Sequence, residues 1–120
     1  MIQDRRQLGQ AGEALAAEAL KNRGYKILTR NYRAPCGEID LIARHGDTLV
    51  FIEVKLRRSG TYGAASEAIT GTKRRRISRS AQFYLRKHGS LDMKVRFDVV
   101  TIDFTRGQPE VDIIPGAFEA

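Results

Sequence analysis

Two carboxylates and a lysine stand where the chain otherwise reads as buried strand. Glu53 and Lys55 continue the run Thr48-Leu49-Val50-Phe51-Ile52, and Asp40 lies within Gly37-Glu38-Ile39-Asp40-Leu41-Ile42-Ala43. Burying an ionised group is costly unless it is paired. These charges therefore either neutralise one another in a structural network or hold a metal ion. Strand residues two apart share a face, so Glu53 goes with Lys55 and Glu38 with Asp40. A two-residue turn at Gly46-Asp47 pairs His45 with Thr48 and predicts Asp40 opposite Glu53 and Glu38 opposite Lys55. Opposed residues have Cβ atoms about 4.5–5.5 Å apart, and two carboxylates that close repel unless a cation lies between them.

Mg²⁺ or Mn²⁺ suits such a pair, since magnesium takes a few carboxylates together with waters and phosphate oxygens. The backbone carbonyl of Val54 offers a further ligand. Lys55 has no lone pair and stands beside the ion rather than on it. There it can orient or help deprotonate a water and stabilise negative charge on a phosphate. The competing reading is a cross-strand ion-pair patch on the wet face of a sheet. The ratio of three acids to one lysine weighs against it.

The elements that must position these residues follow from the pattern. Residues 7–23 predict a helix, rich in Ala, Leu and Glu without Pro or β-branched residues. Its apolar face is Leu8, Ala11, Leu15 and Ala19, and Gly24 is its left-handed stop. Glu13 and Glu18 border the apolar arc on opposite edges, and periodicity does not choose between them. The small neighbours of Glu13 (Gly9, Ala16, Ala17, together with Leu20) would let that edge approach a sheet. Strands are expected at 25–33, 38–44, 48–56 and 95–103, with an edge strand at 111–114. Residues 57–63 read as a loop and 64–70 as a short helical turn. A second helix runs from a Thr70 or Thr72 cap to about His88, where Gly89 ends it. Its stripe is Ile77, Ala81, Tyr84, Leu85 and His88.

The chain has 120 residues and forms one domain spanning 1–120, α/β in class, with a mixed central sheet flanked by helices. No apolar stretch reaches the ~20 residues of a membrane span, and no secretory signal opens the chain, so a cytoplasmic protein without membrane contact is expected. The single Cys36 with only His45 and His88 makes a zinc or cysteine-nucleophile enzyme a poor fit. The net charge of +7 is the footprint of a polyanion partner.

The basic charge concentrates at the start of the second helix, Lys73-Arg74-Arg75-Arg76-Ile77-Ser78-Arg79. Arg75, Arg79, Gln82 and Arg86 form one polar stripe. Cations at a helix N-terminus oppose the dipole, a conflict that hints at an anionic partner, with a merely solvated charged helix face as the competing reading. Arg57, Arg58 and Lys73 can line the same side, making these residues with Arg74, Arg75 and Arg79 the expected nucleic-acid contacts. Tyr62 could stack on a base or equally be a core residue. Arg96 and Asp98 share a strand face and read as a structural ion pair.

Asp40 followed by Glu53-x-Lys55, within an αβββαβ order, resembles the PD-(D/E)xK nuclease superfamily and its restriction-endonuclease-like core. Over nearly its whole length the chain resembles the YraN-like family of small bacterial predicted endonucleases. The matching stretches are Gly12-Glu13, Gly37 to Ile42, Val50 to Lys55 with Arg57, Glu67-Ala68-Ile69, Lys73, and Arg96 to Val100. The resemblance extends to junction-resolving nucleases. It implies Asp40 and Glu53 as metal ligands, Lys55 as the catalytic lysine, and Glu13 as a helix-borne acid acting through a metal-bound water. Asp40 is preceded by Ile39 where the superfamily motif has proline. The expected activity is Mg²⁺-dependent phosphodiester hydrolysis in nucleic acid, with DNA, including branched DNA, as the favoured substrate. A nucleic-acid-binding module of the same fold without turnover is the alternative. A homodimer would suit a junction cutter.

Overall fold

The computed structural model of the chain describes residues 5–57, 69–89 and 92–119, apart from the side chains of residues 5–8 and 57. The expected loop at 57–63, the turn at 64–70, Arg58, Tyr62 and Glu67 therefore fall wholly or largely outside the described residues. The first helix, α1, spans Arg5–Asn22 and stops at Gly24, whose φ of +88° is the left-handed conformation that favours glycine. Its buried face is Gly12, Ala16, Ala17 and Leu20; the expected Ala11, Leu15 and Ala19 are only partly buried, and the Leu8 side chain lies outside the described residues. The reason is contact distance. A Cβ on Gly12 would lie 2.5 Å from Leu56 Cδ2, so the small residues face the sheet, and the bulkier Leu15 turns to the side.

Five strands follow the expected order: β1 Tyr25–Ala34, β2 Gly37–His45, β3 Thr48–Arg57, then, after the second helix, β4 Lys94–Asp103 and β5 Glu110–Phe118. They form one sheet in the order β1-β2-β3-β4-β5, antiparallel except for the parallel β3–β4 pair. Alternation along β3 builds two cores. Leu49 and Phe51 face the second helix, and Val50 and Ile52 face α1. The result is a restriction-endonuclease-like α/β domain with a helix on each face. Among the described residues no helix is long and apolar enough to cross a membrane.

The second helix, α2, spans Gly71–His88. Thr70 caps it, its hydroxyl accepting from Lys73 N at 3.1 Å. Gly89 ends it as expected, in an extended conformation with φ −128°. The Gly89 amide reaches Leu85 O at 3.1 Å, which closes the last turn. Ser80 is fully buried, because Gly37 lets α2 sit directly on the start of β2: a Cβ there would lie 3.2 Å from Ser80 Oγ. His88 is exposed rather than part of the core stripe, and its ring lies 4.9 Å from that of Tyr84. β5 runs four residues past the expected Ile114, since the Pro115-Gly116 interruption is a bulge in an edge strand that resumes pairing at Phe118.

Candidate active site

The β2–β3 ladder begins at His45 opposite Thr48, as the Gly46-Asp47 turn predicts, and proceeds in register to Leu41 opposite Ile52. It ends there. Asp40 and Glu53 are not a ladder pair, and neither are Glu38 and Lys55. The strands part, and Asp40 Oδ2 accepts the Val54 amide at 2.8 Å in place of a backbone bond. Asp40 also drops out on its other side, because β1 pairs Arg30 with Leu41 and Tyr32 with Ile39 and leaves Asn31 between them. Asn31 has a φ of +52°, a conformation that Asn tolerates better than most residues.

The two acids nevertheless meet. Glu53, whose side chain is 7% exposed, is hydrogen-bonded to Asp40 and ion-paired to Lys73 at the first turn of α2. Burial, with the neighbouring Asp40 charge adding to it, pushes the Glu53 carboxyl up to about 7 against the pull of Lys73. Burial raises Asp40 as well, opposed by the Val54 amide, Glu53 and Lys73. Two carboxylates in contact cannot both ionise freely, so one proton or one cation must sit with them. They open onto a cleft of about 540 Å³ whose walls include Glu38, Thr72, Lys73 and Arg76.

Glu13 is half-buried at the edge of α1. Burial raises its carboxyl, the charges of Asp40 and Glu38 add to the rise, and a hydrogen bond with Asn31 opposes it. The close approach at Gly12 brings this acid within electrostatic reach of Asp40. Glu18 is exposed. Glu38 is also exposed, and its ion pair, at 3.8 Å, is with Arg33 across β1 rather than with Lys55. The Lys55 side chain is half-exposed and, among the described residues, makes no ion pair or hydrogen bond. Lys73, expected among the nucleic-acid contacts on the hairpin side, is the cation engaged with the acid pair.

The expected basic stripe is present: Arg75, Arg79, Gln82 and Arg86 are all exposed. Arg75 and Arg79 border a groove of about 410 Å³ on the flank of α2. Arg74 is turned to packing, with Nε donating to Ile69 O at 3.2 Å and the guanidinium 5.8 Å from the Phe118 ring centre. The Arg57 side chain and Arg58 lie outside the described residues. Arg96 and Asp98 form the structural pair the sequence suggested. Asp98 is fully buried, bonded to Arg96 Nε at 2.8 Å, Tyr25 OH at 2.7 Å and Gly116 N at 2.9 Å. Tyr25, raised to about 12 by burial and by its bond to Asp98, stays protonated and stacks on His45 with ring centres 4.1 Å apart.

Among the described residues no three His, Cys, Asp or Glu side chains converge as a metal cage. The donor set is two carboxylates beside an open cleft. That fits Mg²⁺ or Mn²⁺, which keep waters and substrate oxygens in their shells, and does not fit structural zinc.

Fold and motif together place the chain in the PD-(D/E)xK-like nuclease superfamily: an α/β domain with an acid on each strand of a parting hairpin and Glu53-x-Lys55 on its second strand. The model of Uncharacterised protein family UPF0102 matches residues 12–102, and the chain belongs to that family. It is 49% identical over 112 residues to a UPF0102 protein of Geobacter metallireducens, covering 93% of this chain and 92% of the relative. A UPF0102 protein of Moorella thermoacetica is 47% identical over 120 residues, covering 98% and 100%. One from Desulfosudis oleivorans is 44% identical over 120 residues, covering 100% and 96%.

Proposed function

We propose that this chain is a metal-dependent endonuclease that hydrolyses phosphodiester bonds of nucleic acid, with DNA, linear or branched, as the favoured substrate. The observation that carries this reading is the carboxylate pair, Glu53 buried and Asp40 half-buried, held in contact at the wall of an open cleft beside a basic helix. Strongly perturbed carboxyls in a cleft mark sites where charge must be handled. Asp40, Glu53 and the Val54 carbonyl would hold Mg²⁺ or Mn²⁺. When bound, such an ion neutralises phosphate charge and acidifies a water.

The chain's own residues supply the rest. The Val54 amide fixes the Asp40 carboxylate. Lys55, unpaired among the described residues and on the Glu53 face, orients the attacking water and meets the charge that develops on phosphorus oxygens. Glu13, tethered by Asn31, holds a water on the α1 side. Arg75, Arg76 and Arg79 bind the phosphodiester backbone, together with Arg57, the last residue of β3, and Arg58.

The test is cleavage of a panel of single-stranded, duplex and branched DNA and of RNA, with Mg²⁺, Mn²⁺ or chelator. Cleavage with metal, none with chelator, and none in folded Asp40→Asn, Glu53→Gln or Lys55→Ala is expected. Full activity in any of the three removes that residue from the mechanism. Arg75→Glu with Arg79→Glu should weaken binding to all sequences alike and reduce the salt slope by about 0.7–0.9 per lost phosphate contact. A binding module without turnover is the second reading, favoured by the lack of a third acid converging on the pair among the described residues. It predicts salt-dependent binding and no cleavage under any of these conditions.

A further inference from the structure

Lys73 is the one cation touching the acid pair among the described residues, and its situation differs from that of a permanent ion-pair partner. Its ammonium is paired with Glu53, and its charge also acts on Asp40. Yet its side chain is 42% exposed against 7% for Glu53. Its backbone is pinned by the Thr70 hydroxyl at the start of α2, while a four-carbon stem leaves the ammonium free to swing. One monovalent charge against two carboxylates leaves the pair under-compensated, and a divalent cation would match it.

We infer that Lys73 is a placeholder: its ammonium occupies the acid pair in the metal-free protein, yields when a divalent cation enters, and moves to a phosphate oxygen of the substrate. This rests on the metal seat proposed above. Arg76 lines the same cleft one turn along α2, so the displaced ammonium stays beside a second cation at a helix N-terminus, a place that favours phosphate. Loading the site and gripping the substrate are thereby coupled through one side chain. The same ammonium cannot sit in the acid pair and on phosphate at once.

The experiment is calorimetric titration of Mg²⁺ and Mn²⁺ into the parent, Lys73→Met, Lys73→Gln, Lys73→Arg and Asp40→Asn, in mildly alkaline low-salt buffer. Binding to a DNA duplex is measured in parallel, with Ca²⁺ in place of the catalytic metal. Removing the competing ammonium should tighten divalent binding by about 5–30-fold in the Met and Gln variants, the scale of releasing an ion pair with one buried partner. The Arg variant keeps the charge and should stay near the parent. DNA binding in Ca²⁺ should weaken in the Met and Gln variants, with a salt slope smaller by about one phosphate contact. Divalent binding no tighter in both neutral variants than in the parent would make Lys73 a structural partner and overturn the inference. Unchanged DNA affinity would overturn the move to phosphate. No saturable divalent binding by the parent, or binding undiminished in Asp40→Asn, would sink the metal seat and the placeholder with it. A seat lost only in Asp40→Asn but insensitive to Lys73 would sink the placeholder alone.

Discussion

Asp98 and Glu53 are buried carboxylates on neighbouring parallel strands, and the fold treats them in opposite ways. Asp98 receives a guanidinium on both oxygens, a phenol and a backbone amide, and is sealed from solvent. Glu53 is set against a second acid, with one half-exposed lysine for relief, and faces a cleft. Hydrogen bonding does not separate them, since among the described residues no buried side-chain nitrogen or oxygen lacks a partner. Charge does. The Asp98 cluster is balanced and closed, as a network that specifies a core must be. The Asp40–Glu53 pair is unbalanced and open, an arrangement that stability alone would not select.

The sharpest way to break that comparison is to empty each cluster in turn. Asp98→Ala strands Arg96 and Tyr25 and should cost about 3–5 kcal/mol in urea denaturation, the range for breaking a buried pair from one side. A cost below about 1 kcal/mol, the level of an exposed pair, would mean that the cluster is not closed. A smaller effect tests the backbone that frees Asp40. Asn31→Ala forces a Cβ-bearing residue with no local hydrogen bond into φ +52° and should cost about 1–2 kcal/mol. Asn31→Gly should recover most of that cost. Equal stabilities for the two variants would show that the left-handed residue is not strained.

The pH dependence sharpens the comparison further. A carboxyl whose folded-state pKa is raised keeps its proton in the folded chain after the unfolded chain has lost it. Its favourable contribution is complete below the ordinary value of 4.5 and is lost as pH rises to about 7. Metal-free parent should therefore lose stability across that window relative to Glu53→Gln, as followed by melts in chelator. A parent that gains stability there relative to the variant would place Glu53 in a charge-compensated ion pair.

Much of this was legible in the sequence, for identifiable reasons. Hydrophobic period and turn residues sufficed for seven elements in order, and the Gly46-Asp47 turn set the hairpin register as far as Leu41 and Ile52. Beyond that point the register prediction failed because it assumed a continuous ladder. The Asn31 conformation and the Val54 amide bond to Asp40 end it, and neither is visible in apolar periodicity. The acids themselves were legible as charges inside an apolar run. Their cation was not: Lys55 is near in sequence, whereas Lys73 arrives from a helix whose packing depends on Gly37, and sequence distance says nothing about that approach. The buried face of α1 departs from its apolar periodicity for a related reason: close approach at Gly12 outweighs apolar size.

The central claim, that Asp40 and Glu53 form a cation seat rather than a structural patch, is tested most directly by thermal melts of the parent and Asp40→Asn, each in chelator and in Mg²⁺. Asn keeps the size of Asp and an oxygen for the Val54 amide but removes one of the two opposed charges. In chelator the variant should be the more stable protein, by about 0.5–2 kcal/mol for close like charges at an effective dielectric nearer water than dry protein. In Mg²⁺ the parent should gain stability by binding the ion only when folded, and the variant should gain little. A variant less stable than the parent in chelator, with Mg²⁺ shifting neither protein, would contradict the account and make this pair a structural network like the one around Asp98.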